Sequence, residues 1–164
     1  MKLKPSIYLD TSTINFLFAE DAPEKMEITI DLFDNFIKKG IYATFISNFV
    51  IQEILQTKDK KKQNQLLSVI DKYYIQILKP QNLLEIEELA SMYVQGGVVP
   101  AKKIFDALHI SVAVTQRMDY LVSWNYKHLA NVNREKKVML INTENNYLHP
   151  IRILTPLELI DYEN

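Results

Sequence analysis

At 164 residues, with 48% hydrophobic and 24% charged side chains, the chain has the makeup of a globular domain that buries a sizeable core, which excludes an intrinsically disordered polymer. It contains no cysteine, so disulfides, thiol nucleophiles and thiolate metal sites are excluded, and its formal net charge of -1 excludes a strongly basic nucleic-acid binder while leaving room for local positive charge. Three glycines, Gly40, Gly96 and Gly97, can build neither a Walker loop nor a GxGxxG dinucleotide fingerprint.

Ile7-Tyr8-Leu9, bounded upstream by Pro5, is a short apolar run that reads as a buried parallel strand and stops on Asp10-Thr11-Ser12. Thr13 to Phe18 is expected to form a short helix and Pro23 to Lys39 a longer one, with Ile28, Leu32, Phe33, Phe36 and Ile37 at helical spacing and Gly40 as its stop. Ile41 to Ile46 is rich in β-branched and aromatic residues and reads as a second strand, followed by Ser47 as the cap of a helix that carries Glu53. Thr57 to Gln65, with the run Lys60-Lys61-Lys62, is polar and reads as the solvated start of a helix rather than a phosphate contact; Leu66 to Tyr73 resumes an apolar helical pattern.

Ile75 to Leu78 is a short strand, Asn82 to Gln95 an amphipathic helix closed by Gly96-Gly97, and Pro100 precedes a helix that carries Asp106 and runs to about Met118. Tyr120 to Ser123 is a strand with Trp124-Asn125 at its carboxyl end, and Tyr126 to Asn131 has the length of one or two helical turns. Asn133 to Pro150 is polar and irregular apart from Val138 to Ile141, a candidate edge strand; Ile151 to Leu154 is a last strand and Pro156 opens a terminal helix. No linker or repeat divides the chain, so residues 1–164 are expected to form one α/β domain, a three-layer α/β/α sandwich with a mainly parallel sheet. No apolar run approaches the roughly 18 residues of a membrane span, and the amino terminus lacks the apolar stretch of a secretory leader, so a cytoplasmic protein without a membrane partner is expected.

Three acids stand inside apolar surroundings: Asp10 at the end of the first strand, Glu53 within Phe49-Val50-Ile51-Gln52-Glu53-Ile54-Leu55, and Asp106 within Ile104-Phe105-Asp106-Ala107-Leu108-His109-Ile110. Acids are almost never buried without a partner. In a parallel sheet, strand ends and the first turns of the following helices face one crevice, and two carboxylates about 4 Å apart repel by roughly 4 kcal/mol at an effective dielectric near 20. An all-oxygen donor set of this kind favours Mg²⁺ or Mn²⁺ over Zn²⁺, and an acid cluster without a nucleotide loop points to metal-assisted hydrolysis of phosphodiesters. Thr11 and Ser12 are placed either to orient Asp10 by hydrogen bonds or to cap the next helix.

Leu9-Asp10-Thr11-Ser12, the Ser47…Glu53 spacing, Phe105-Asp106-Ala107 and Leu121-Val122-Ser123-Trp124-Asn125-Tyr126-Lys127-His128 occur in an order that resembles the PIN-domain nucleases, the family of the VapC-type toxins of bacterial toxin–antitoxin pairs; Ile153-Leu154-Thr155-Pro156 is similar to its closing strand and helix. The resemblance spans nearly the whole chain. It implies a PIN-like fold and a Mg²⁺- or Mn²⁺-dependent ribonuclease whose metal-site acids are Asp10, Glu53 and Asp106, with RNA as substrate and an antitoxin protein and a second copy of the chain as candidate partners. The family's fourth position, often Asp, is Asn125, which can bond a ligand or water but adds no charge.

The same residues carry plainer readings. Asp10 can be a helix cap, Glu53 a salt-bridging acid at the edge of a buried helix, and Asp106 a first-turn acid favoured by the helix dipole. His109, three residues beyond Asp106, reads as a satisfied, partly buried histidine rather than a ligand, and Trp124 as a packing residue rather than a platform for an unpaired base. Asn125 keeps open the alternative of a PIN-like domain that no longer cuts and serves as a binding or interaction module.

Overall fold

Ile7, Tyr8 and Leu9 have no solvent exposure at all, and their strand β1 (Ser6–Leu9) is the middle of a five-stranded sheet. A strand apolar on both faces has to be covered from both sides, which is the condition that builds a parallel sheet with helices above and below. The computed structural model describes residues 3–125, 129 and 131–163. The strands β2 (Ala43–Ser47), β3 (Gln76–Leu78), β4 (Tyr120–Val122) and β5 (Arg152–Leu154) pair with β1 in the order β3-β2-β1-β4-β5, every pair parallel. Tyr8 lies level with Phe45 on one side and Leu121 on the other, so β1, β2 and β4 end at nearly the same height.

Eight α-helices of the described residues cover the sheet in a three-layer α/β/α sandwich: α1 (Thr11–Asn15), α2 (Pro23–Leu32), α3 (Asn48–Leu55), α4 (Lys60–Lys72), α5 (Leu83–Gln95), α6 (Ile104–Thr115), α7 (Val132–Glu144) and α8 (Pro156–Glu163). α5 packs chiefly on α6 and α2 on α8. The chain places β2 and β3 on one side of β1, then crosses to β4 and β5 on the other. That reversal opens a crevice above the carboxyl ends of β1 and β4, the place where open α/β sheets bind their ligands. No helix of the described residues is long and apolar enough to cross a membrane.

Three elements differ from the expectation. The helix expected over Pro23 to Lys39 is α2 followed by a wider π turn, Phe33–Ile37, which buries Phe33 and Ile37 and ends at Gly40 with a left-handed φ of 73°. The segment expected to be irregular from Asn133, with an edge strand over Val138 to Ile141, is the helix α7. Asn131 caps it by accepting bonds from the backbone N–H groups of Asn133 and Arg134, at 2.9 and 3.4 Å. Only Val138 and Asn142 of α7 are fully buried, and the Tyr93 hydroxyl donates to the Asn142 side chain. A buried stripe so narrow leaves almost no periodic signal. α6 stops at Thr115, short of Met118. The turns expected over Tyr126 to Asn131 lie largely outside the described residues.

Candidate active site

Asp10 stands at the point where β1 ends and α1 begins, in extended backbone, and caps α1 by accepting the Thr13 backbone N–H at 3.2 Å. The cap is one of several bonds. The same Oδ1 accepts the Ser12 hydroxyl at 2.6 Å, and Oδ2 accepts the Ser123 hydroxyl, from the end of β4, also at 2.6 Å. Those hydroxyls in turn accept the backbone N–H groups of Trp124 (3.0 Å) and Asn125 (2.9 Å). Two serines thus tie the loop after β1 to the loop after β4 through one carboxylate. Asp10 is 2% exposed. Burial pushes its carboxyl above its ordinary value, against the pull of His109 and of the hydroxyl and backbone donors.

Glu53 projects from α3, whose first turn is capped by Ser47. Its Oε1 accepts the Thr11 hydroxyl at 2.6 Å and His109 Nε2 at 2.5 Å. Burial works against its charged form, but the bonds from His109 and Thr11 and the nearby Lys103 outweigh it and hold the carboxyl below its ordinary value. His109 continues inward: its Nδ1 lies 2.7 Å from Tyr8 Oη, which lies 2.7 Å from Ser47 Oγ. One assignment uses every proton of this chain: Ser47 donates to Tyr8, Tyr8 to Nδ1, and Nε2–H to Glu53. The orientation of Glu53 is therefore anchored in the core by a fully paired chain of polar groups.

Asp106 lies in the first turn of α6 and accepts the Asn125 side-chain amide on Oδ2 at 2.9 Å. Its carboxyl is pushed up to about 6, first by burial and then by the charge of Asp10, with Glu53 adding to the effect while His109 and Lys103 oppose it. Asp10, Glu53, Asp106 and Asn125 line one crevice of about 320 Å³, together with Thr11, Ser12 and His109, and with Lys102 and Lys103 on its wall. All six candidate positions from the sequence fall in this one place.

The donor set fits a hard divalent cation in kind: all oxygen, three acids in one crevice, and an Asp106 raised first by burial and then by the charge of Asp10. Among the described residues no group of three or more His, Asp or Glu is arranged to hold a metal by itself. Mg²⁺ does not need such a cage, because it keeps several waters and is bound through one or two carboxylates plus substrate phosphate. Asp106 Oδ1 and Glu53 Oε2 receive no hydrogen bond from the described residues and are the oxygens left for that role.

Four residues of this neighbourhood went unread as site components. His109 is satisfied and buried, as its sequence context suggests, but one of the groups that satisfies it is Glu53; the i, i+3 spacing from Asp106 was the available signal. Ser123 is legible as the end of a strand and as part of the stretch that carries the family resemblance, but not as a partner of Asp10, and Lys102-Lys103 only as polar residues ahead of α6. Trp124 packs: it is 4% exposed, and its indole N–H donates to Thr29 Oγ1 at 2.8 Å. Set against known proteins, the chain matches no protein-family model, and no curated protein is similar to it in sequence.

Proposed function

We propose that this chain is a PIN-like, Mg²⁺- or Mn²⁺-dependent endoribonuclease. The observation that carries the reading is the gathering of Asp10, Glu53 and Asp106 around one crevice above β1 and β4, with Asp106 raised to about 6 by burial and by its acidic neighbours. When bound, a divalent ion supplies Lewis acidity toward a phosphodiester and lowers the pKa of a water it holds. The chain's own residues set the geometry. Asp10 is locked by the two serine hydroxyls and the Thr13 amide, Glu53 is oriented by Thr11 and His109, and Asp106 by Asn125. Asn125 is then a positioning group for Asp106 and adds no charge of its own. The toxin role is the finer form of this reading, with an antitoxin protein as the partner.

A second reading is supported by two specific observations: the neutral Asn125, and the absence, among the described residues, of side chains that form a metal cage by themselves. In that reading the domain binds RNA or a protein without cutting. Incubation of single-stranded and structured RNA with the wild type and Asp106→Asn, with Mg²⁺, Mn²⁺ or EDTA, separates the two. Cleavage that needs metal and Asp106 supports the nuclease; RNA retained intact by the wild type under every metal supports the module.

A further inference from the structure

Next to the acid crevice lies a larger cavity of about 690 Å³ whose walls have the opposite character. Lys102, Lys103 and Arg134 supply its polar side, the half-buried Val94 and Pro100 an apolar side, and among the described residues no carboxylate lines it. Lys102 and Lys103 line both cavities, so the acid crevice and the basic cleft share a wall. These lysines come from the short 3₁₀ turn Ala101–Lys103 that leads into α6, three and four residues ahead of Asp106. Arg134 comes from the first turn of α7, and its Nη1 donates to the Gly97 carbonyl at 2.6 Å; Lys137 Nζ lies 3.4 Å from the same oxygen. Gly97 carries a left-handed φ of 73°, the turn that aims this carbonyl at α7.

A crevice of three carboxylates repels a polyanion unless cations hold the flanking phosphates. The cleft supplies such cations on one side of the acids. A cavity of small-ligand size has room for a single nucleotide, which suits one strand better than a duplex. Its apolar side can lie against a ribose or a base face, while its polar side offers charge and no base-reading donors or acceptors beyond the cations. We propose that this cleft seats the backbone of single-stranded RNA next to the phosphodiester in the acid crevice, with Lys102, Lys103 and Arg134 on its phosphates and little preference for sequence. The inference rests on the ribonuclease reading for the acid crevice but is tested through binding.

The test is fluorescence anisotropy of a labelled single-stranded RNA of mixed sequence, titrated with full-length Asp106→Asn protein in Mg²⁺ at several salt concentrations. The same titration is run after adding Lys102→Gln, Lys103→Gln and Arg134→Gln. Each lost phosphate contact removes about 0.7 from the slope of log affinity against log salt. The triple change should flatten the slope by about 2 and weaken binding at least tenfold, and Lys102→Gln with Lys103→Gln, which leaves the Arg134–Gly97 bond intact, should flatten it by about 1.4. Neutralising Lys60, Lys61 and Lys62 on α4 removes the same charge away from both cavities and should leave the slope unchanged. Equal flattening by the two triples overturns the proposal, as does tighter binding of a duplex of the same sequence. If wild type cuts RNA while the cleft variants bind as before, the cleft assignment fails and the nuclease reading stands. If the cleft variants lose binding while wild type cuts under no metal, the cleft stands and the nuclease reading fails.

Discussion

The two ends of the sheet treat their acids in opposite ways. At the amino end, Asp119 lies just ahead of β4. Its Oδ2 accepts the Ser6 backbone N–H at 2.8 Å and lies 3.2 Å from the Ser6 hydroxyl, while Oδ1 accepts His149 Nε2 at 3.1 Å. Both oxygens have partners, the nearest charged partner is of opposite sign when His149 is protonated, and the bonds join β1 to the start of β4. At the carboxyl end three acids share one crevice, and Asp106 Oδ1 and Glu53 Oε2 lack a hydrogen bond from the described residues. Asp119 is satisfied by its donors, as Asp10 is, whereas Asp106 and Glu53 share the crevice with Asp10 and each keeps an oxygen without a donor among the described residues; under the proposed function those two oxygens are the ones open to a ligand. Removing charge should therefore lower stability at Asp119 and raise it at Asp106.

The largest effect that separates the two ends is on cleavage. Asp106→Asn keeps volume and can still accept the Asn125 bond, so its fold should survive while RNA cleavage falls by about 10³ or more, since each 1.36 kcal/mol of lost transition-state stabilisation is tenfold in rate. Asp119→Ala should leave the cleavage rate of the folded protein unchanged and lower its stability by about 1–2 kcal/mol, seen in denaturant titration, because it strands the Ser6 amide. Equal loss of cleavage from both substitutions would dissolve the distinction between the two ends.

His109 tests how the open end is held in place. It is 1% exposed and bridges Tyr8 to Glu53. His109→Ala leaves both partners short of a bond and opens a cavity, so a loss of about 3 kcal/mol is expected, which for a chain of this size lowers Tm by about 10 °C. Tyr8→Phe removes the bonds to Ser47 and to His109 Nδ1 but keeps the His109 bond to Glu53, and should cost about 1–3 kcal/mol. It should also leave the Mn²⁺-induced rise in Tm nearly intact, whereas His109→Ala should diminish it. An undiminished metal response in His109→Ala would show that the orientation of Glu53 does not matter to the site.

How much of this was legible before the fold was known depends on the range of each signal. Ile7-Tyr8-Leu9 announced a strand because both faces are buried, and Asp10, Glu53 and Asp106 stood out because each breaks an apolar run. Those signals are local. The Ser123 bond to Asp10 joins residues 113 positions apart and the His109 bond to Glu53 residues 56 apart, so nothing near either side chain discloses its partner. α7 is hidden for a related reason: its identity comes from an Asn131 cap and from a single stripe of Val138 and Asn142 against α5, while the apolar run from Val138 to Ile141 imitates a strand. The basic cleft is assembled by the fold from a turn and a helix whose lysines and arginine look ordinary in sequence.

A smaller effect follows from the raised Asp106, and its sign is fixed. A carboxyl near 6 in the folded protein against an ordinary value of 3.8 binds its proton more tightly folded than unfolded. The folded state is therefore favoured at low pH, and that contribution is lost as pH rises from about 4 through about 6. Asp106→Asn imitates the protonated form. It should be more stable than wild type above pH 6, by on the order of 1 kcal/mol once solvent screening of this partly exposed group is allowed for, and the difference should vanish below about pH 4. For the same reason Mn²⁺ affinity of the wild type should fall as pH drops through about 6, because a ligand must shed its proton to bind. Denaturant titrations of the two proteins at pH 3.5, 5 and 7.5 check the first point; a constant difference across that range would remove the electrostatic account of Asp106.

The smallest expected effect on cleavage is at Asn125, where the open end of the sheet comes nearest to the logic of the closed one. Its amide donates a bond, at 2.9 Å, to one oxygen of Asp106. Asn125→Ala removes that bond without changing charge, and a hydrogen bond to a charged group contributes about 1.5–3 kcal/mol at most, less where water can take its place. Cleavage should fall about tenfold, and Mn²⁺ affinity by less. Asn125→Asp makes the opposite change, setting a fourth carboxylate against Asp106 with a repulsion of several kcal/mol at an effective dielectric near 20. Without metal it should push the Asp106 carboxyl higher still and lower stability at pH 7.5; with Mn²⁺ the added charge should tighten binding, so the metal-induced rise in Tm should exceed that of the wild type. Calorimetric titration of the three proteins with Mn²⁺ should rank them Asp, Asn, Ala at this position. If Ala binds metal as tightly as Asp does, residue 125 has no part in the site.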